Sequence, residues 1–257
     1  LKSLKQPSFE LSYMQLKKTI AEEFRRHDRI LDSSCLTEAE KQRYRNICDV
    51  QGKEWDYLDA LKFLSACLGK VKEKKTIILI DEYDVPLENA YFSGFYDRMT
   101  AVIRSLFESA LKTNGYLEFA VITGCLRISK ESIFAGLNNL KIVSITSPTY
   151  SEYFGFTEQE VRDMLKFYGR ERCMDTMKTW YDGYLFGKTE VYNPWSVINY
   201  VEQVWADPES FPKPFWSNTS SNSIIRALVE HADIRVKQEI ELLIQGESIE
   251  KSVHEDI

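Results

Sequence analysis

The stretch TIILIDEYD, Thr76 to Asp84, decides how this chain is read. Five residues of a continuous, largely β-branched run end in two adjacent carboxylates. Such a run suits a strand buried on both faces, as in a parallel sheet. Pro86 then prevents regular continuation. Downstream, Met99, Val102, Ile103, Leu106, Phe107, Ala110 and Leu111 recur at i, i+3, i+4 and i+7 spacing. That spacing predicts an amphipathic helix over Asp97 to Leu111, closed near Asn114-Gly115. LEFAVIT (Leu117 to Thr123) reads as a second buried strand, and KIVSIT (Lys141 to Thr146) as a third, with Pro148 closing it. Strand, helix, strand, connector, strand predicts an α/β core with a parallel sheet and right-handed crossovers.

The flanks read as helical. Phe9 to Ile30 carries apolar residues at helical spacing, Thr37 and Glu40 form a T-x-x-E capping box, and Tyr57 to Leu68 predicts a third helix. After Pro148 the chain turns helical and aromatic. Thr157 and Glu160 make another capping box, and a helix is expected over Glu171 to Trp180. A small hairpin is expected over Tyr184 to Tyr192, and Pro194 opens a further helix. Two more helices are expected, at Ser223 to His231 and Arg235 to Ile244. The expected organisation is an α/β core over 1–149 and an α-helical domain with a small hairpin over 150–257.

The 257 residues are 44% apolar and 28% charged, which excludes wholesale disorder, and 11 Gly with 7 Pro exclude a collagen-like or low-complexity chain. A net charge of -6 argues against global attraction to nucleic acid or an anionic membrane. No apolar run approaches the ~18 residues of a membrane span. Five scattered cysteines without a CxxC pair fit neither a zinc site nor a disulfide framework, and point to a reducing cytoplasm. His27, His231 and His254 lack partners at ligand spacing. Lys17, Lys18, Arg25, Arg26 and Arg29 read as a solvated helix face among acids rather than a nucleic-acid patch.

The chemistry is expected at the strand ends. Asp81, at the carboxyl edge of a buried strand, is placed to hold Mg²⁺, and Glu82 to polarise an attacking water, as in nucleotide hydrolysis. A strand that simply exits into a polar turn is the alternative. Thr123 ends the second strand, where a hydroxyl can sense a terminal phosphate. Arg127 and Lys130 follow within reach of an anion; a capping threonine and two solvated cations are the alternative. Nucleotide hydrolysis also needs a phosphate loop, G-x-x-x-x-G-K-[ST]. The nearest string, GYLFGKT (Gly183 to Thr189), has three residues between its glycines, and these are bulky. It reads as a hairpin turn. The chain opens at Leu1, not Met, and the expectation is that the first strand and the phosphate loop precede it.

Five ordered blocks then carry a resemblance: IILIDEYDVPL, VITGCLRISKESIFAGLNNL, SEYFGFTEQEV, YDGYLFG and VYNPWSVINYV. Together they resemble the AAA-ATPase-like family of bacterial proteins, over about Leu1 to Ile244. The resemblance implies a P-loop NTPase core followed by a helical segment and, in full-length members, a restriction-endonuclease-like C-terminal domain. It implies that Asp81 and Glu82 fill the Walker B positions and Thr123 the sensor position. Arg127, Lys130 and Asn138 fall in the family's second block without assigned roles. ATP and Mg²⁺ are the implied cofactors.

The expected function is therefore part of an ATP-binding, ATP-hydrolysing protein, inactive as this chain alone. Two other readings stand beside it. One is a non-catalytic, nucleotide-regulated module that controls a protein partner or self-associates. The other is a nuclease-associated protein with Asp81, Glu82, Asp84 and Glu88 as metal ligands.

Overall fold

The computed structural model describes residues 1, 3–125, 133–134, 137, 140–215, 229–230 and 232–250. Arg127, Lys130, Asn138, His231 and His254 lie outside the described residues, as does most of the helix expected at Ser223 to His231. The chain divides into two compact units, one built on Leu1–Leu140 and the other on Lys141–Val253.

In the first unit, α1 (Phe9–Arg26), α2 (Glu38–Cys48), α3 (Glu54–Leu58) and α4 (Ala60–Lys72) precede the sheet. Leu16, Ile20 and Phe24 form the buried stripe of α1. The Tyr44 hydroxyl donates 2.7 Å to the Phe24 carbonyl and ties α2 to it. The capping box at Thr37 and Glu40 is present in full, which explains why α2 starts there. The helix expected over Tyr57 to Leu68 is instead two, broken at Asp59. There Arg43 donates 2.8 Å to Asp56 and also pairs with Asp59. Those contacts hold the break, and apolar spacing alone does not register it.

The strands β1 (Thr76–Ile80) and β2 (Leu117–Ile122) pair in parallel, with Ile77 opposite Phe119 and Ile80 opposite Ile122. Between them run α5 (Val85–Phe92) and α6 (Tyr96–Leu111). The α6 stripe is the expected one: Met99, Ile103, Leu106, Phe107 and Ala110 are all buried. Burial of that stripe is the main source of helix stability. The Tyr116 ring lies against Gly69 of α4, so close that a Cβ there would sit 2.2 Å from a ring carbon. This contact positions α4 beside the entry to β2.

Two sequence expectations need correction. First, the strands are covered on one face only. Ile80 is buried and Ile78 and Ile122 are half-buried against the helices. Ile77, Leu79, Phe119 and Val121 are exposed by 54, 73, 50 and 45%. A continuous apolar run shows that both faces avoid polar residues, not that both are covered. Second, Lys141 to Thr146 is not a strand. Ser147 N–H bonds the Ser144 carbonyl, Ser144 N–H bonds the Ser147 hydroxyl at 3.1 Å, and Ser144 and Thr146 hydroxyls bond each other. Hydroxyl side chains here offer the backbone a local turn in place of a ladder. The parallel sheet therefore has two strands among the described residues, a mixed helix and sheet architecture.

The second unit is mainly helical: α7 (Glu158–Phe167), α8 (Met174–Tyr181), the hairpin β3 (Tyr184–Phe186) and β4 (Thr189–Val191), α9 (Pro194–Ala206) and α10 (Ile234–Ile244). Thr157 and Glu160 complete the second capping box. GYLFGKT is a hairpin turn, as expected, with Gly187 at φ +56°. Val161, Leu165, Met177, Tyr192, Val197 and Val204 form its core. Gly155 lets Phe156 bridge to Tyr192, since a Cβ there would meet the Tyr192 carbonyl at 2.7 Å. Among the described residues, no helix is long and apolar enough to cross a membrane. All five cysteines are free thiols.

Candidate functional site

The carboxyl ends of β1 and β2 meet in one knot. Thr123 N–H donates 2.9 Å to the Ile80 carbonyl, and Tyr83 N–H donates 3.0 Å to the Thr123 carbonyl. The parallel ladder thus continues one step past each strand and carries Asp81 and Thr123 to adjacent positions. There the Thr123 hydroxyl donates to an Asp81 carboxylate oxygen. It also accepts the Glu82 N–H at 3.4 Å. A single hydroxyl therefore contacts the Asp81 carboxylate and the Glu82 backbone.

Glu82 has a left-handed backbone, φ +52°. For a residue with a Cβ this costs about 1–2 kcal/mol, and such strain is concentrated at functional sites. Its Oε2 atom is buried without a hydrogen-bond partner. One carboxylate oxygen is thus held in the protein, desolvated and available as an acceptor.

Behind the two acids, Tyr83 is buried, with its ring edge-on to Phe134 at 5.2 Å. Asp84 is 2% exposed and stands at the start of α5. Gly124 makes room for both: a Cβ there would lie 2.6 Å from the Tyr83 ring and 2.9 Å from an Asp84 oxygen. Sequence reasoning names Asp84 only as a metal ligand in the nuclease reading, and it misses the role of Gly124. The signal was the T-G pair at the strand end, which admits close approach of a neighbouring backbone.

Carboxylates dominate the electrostatics, with Lys5 and the Leu1 ammonium, which donates 2.9 Å to the Asp81 carbonyl, as counter-charges. Burial raises the Cys125 thiol pKa, and Asp84, Glu82, Glu88 and Asp81 push it further up. Cys125 is thus a protonated thiol beside four carboxylates. Burial raises the Glu88 carboxyl as well, opposed by Lys5 and reinforced by Asp84. A group of carboxylates of this kind attracts a cation. Yet among the described residues no three His, Cys, Asp or Glu side chains are grouped to hold a metal ion by themselves. A separate groove of about 460 Å³ lies elsewhere in this unit, lined by Phe9, Tyr13, Met14 and Val102 and containing none of these acids.

Adjacent parallel strands thus end in an acid pair and a hydroxyl at their carboxyl edge, where open α/β sheets bind their ligands. A family described as predicted AAA-ATPase matches residues 3–134, more than half of the chain, and the chain belongs to this AAA-ATPase-like family. An uncharacterized protein in the vnfD 5' region of Azotobacter chroococcum mcd 1 is 29% identical over 155 residues, covering 59% of this chain. The match spans 28% of that relative's length. No solved structure matches the chain.

Proposed function

We propose that this chain is the acid-bearing part of an ATP-binding and ATP-hydrolysing protein, with Asp81 and Glu82 as its Walker B pair. The observation that carries the reading is the hydroxyl of Thr123, bonded to the Asp81 carboxylate and to the Glu82 backbone N–H at the ends of adjacent parallel strands.

The donor set fits a nucleotide-bound Mg²⁺ rather than a metal caged by protein. Mg²⁺ is normally held by one or two carboxylates plus phosphate oxygens and water, and Asp81 supplies one such carboxylate. When bound, Mg²⁺ neutralises charge on the phosphates. Asp81, steadied by Thr123, would hold the ion. Glu82, the second acid of the pair, accepts a proton from the attacking water. Thr123 would read a terminal phosphate, and Arg127 and Lys130, which follow it in the sequence, are the candidate cations for that anion.

Glu82→Gln in the intact protein keeps the shape of the side chain and removes its basicity. ATP hydrolysis should fall to background, while calorimetry should find ATP binding intact. Hydrolysis at the wild-type rate would overturn the role of Glu82.

A further inference from the structure

In the second unit, the start of α7, the end of α8 and the end of β4 converge on one polar group. Phe156 and Tyr192 exchange backbone hydrogen bonds of 3.1 and 2.8 Å, an antiparallel bridge that sets Tyr192 beside the first turn of α7. Glu158 stands in that turn. Its Oε1 accepts from Arg162 Nε at 2.9 Å and its Oε2 from Lys178 at 3.0 Å. Lys178 belongs to the last turn of α8, and Asp182 follows that helix directly.

Tyr192 is 1% exposed, and its hydroxyl is buried without a hydrogen-bond partner. Burial raises its pKa, Asp182 and Glu158 raise it further, and Lys178 and Arg162 oppose them; these four are the charges the hydroxyl faces. The phenol therefore stays protonated and is a donor. A buried donor left unpaired is destabilising, and in a native fold it needs a reason. The donor count gives the sign of what would satisfy it. Arg162 uses Nε and Nη2 on one Glu158 oxygen and keeps Nη1, and Lys178 keeps two N–H groups. On the acceptor side, Asp182 already takes the Gly183 N–H at 2.7 Å. Donors outnumber acceptors, and the amino end of α7 favours an anion as well.

We propose that Arg162, Lys178 and Tyr192 form a binding site for the phosphate monoester group of a small molecule. The Tyr192 hydroxyl donates to one phosphate oxygen from inside the unit, and Arg162 Nη1 and Lys178 donate to the others from the rim. Three separate donor groups call for three terminal oxygens, which a phosphate monoester has and a carboxylate has not. Glu158 holds both cations in place and competes with the ligand for their charge. The Arg162 and Lys178 side chains are each 52% exposed. Binding is therefore weak and sensitive to salt. The inference stands independently of nucleotide hydrolysis at Asp81 and Glu82.

Titration of the isotope-labelled 257-residue chain with inorganic phosphate at fixed ionic strength tests it, followed by NMR at the backbone amides of Glu158, Lys178 and Tyr192. These resonances should shift and saturate in the millimolar range. Tyr192→Phe removes one oxygen and should weaken phosphate binding roughly tenfold. Without phosphate its melting temperature should be no lower than that of the wild type, since the lost hydroxyl had no partner. Lys178→Gln should weaken binding by a similar factor, and Glu158→Gln, which removes the competing carboxylate, should tighten it. Acetate should bind at least about tenfold more weakly than phosphate, having fewer oxygens and less charge. Resonances that phosphate leaves unmoved would overturn the proposal, as would equal affinities in the wild type and Tyr192→Phe. Acetate binding as tight as phosphate binding would overturn the phosphate assignment, and weaker binding by Glu158→Gln would overturn the competing role of Glu158.

Discussion

Thr123 donates its side-chain hydroxyl to Asp81 across two neighbouring parallel strands, and the same oxygen receives the Glu82 N–H. The two acids are therefore not oriented by their own strand alone. The Asp81 carboxylate is held by a residue 42 positions away in the chain.

Thr123→Val should separate shape from hydrogen bonding. Valine fills the same space but leaves Asp81 without its donor. The contact is exposed, so the stability cost should stay below about 1 kcal/mol. Misplacing a group that positions reacting atoms has a larger effect, roughly ten- to hundredfold in turnover. Thr123→Ser should retain most activity. Steady-state ATP hydrolysis beside thermal unfolding checks both, and equal turnover in Thr123→Val and wild type would contradict the assignment.

Glu82 should show a conflict between stability and function. Its φ of +52° suits glycine. Glu82→Gly relieves that strain but loosens the unfolded chain, and the second effect offsets about 0.4–1 kcal/mol. Glu82→Ala keeps the strain. The glycine variant should therefore be the more stable of the two by up to about 1 kcal/mol, with both inactive. Urea unfolding of the pair measures the difference.

Gly124→Ala should be costly for a different reason. The backbone is not strained; the space is occupied, by the buried Tyr83 ring and the buried Asp84 carboxylate. Overpacking of this kind costs about 1–3 kcal/mol. Because the displaced groups directly follow the acid pair, ATP turnover should fall in step. A variant with wild-type melting temperature would show that the site can relax around a methyl group.

The parts of this fold that were legible in the sequence are those fixed by local chemistry. TIILI and LEFAVI form strands because β-branched and aromatic residues fill consecutive positions, and the α6 stripe repeats at helical spacing. Both capping boxes form where Thr and Glu stand three apart. Contacts between distant residues were not legible. Arg43 breaks the helix at Asp59 from another element, and the hydroxyls of Ser144, Thr146 and Ser147 divert a strand-like run into a turn. The site divides the same way. Asp81, Glu82 and Thr123 announce themselves by residue type at strand ends. The bond between them, the left-handed Glu82 and the space left by Gly124 belong to the three-dimensional fit.

The capping box at α2 should give the first unit a defined acid sensitivity. The Lys70 ammonium beside Glu40 lowers its carboxyl pKa, and the Thr37 N–H, donating 2.9 Å, lowers it further. A carboxylate held below its unfolded value adds stability above that value. The contribution disappears as pH falls through the lowered folded one. Glu40→Gln should thus lower the melting temperature at pH 7, with the difference from wild type closing below the ordinary glutamate range, about pH 4. Thr37→Ala should behave otherwise. It removes the hydroxyl that accepts the Glu40 N–H at 3.2 Å, at a cost of about 1 kcal/mol. Most of that cost should persist at low pH, because an N-cap hydroxyl does not titrate. Melting curves of the three proteins from pH 7 to pH 3 distinguish the two contributions; a Glu40→Gln deficit that stays constant across the range would show that Lys70 plays no electrostatic part.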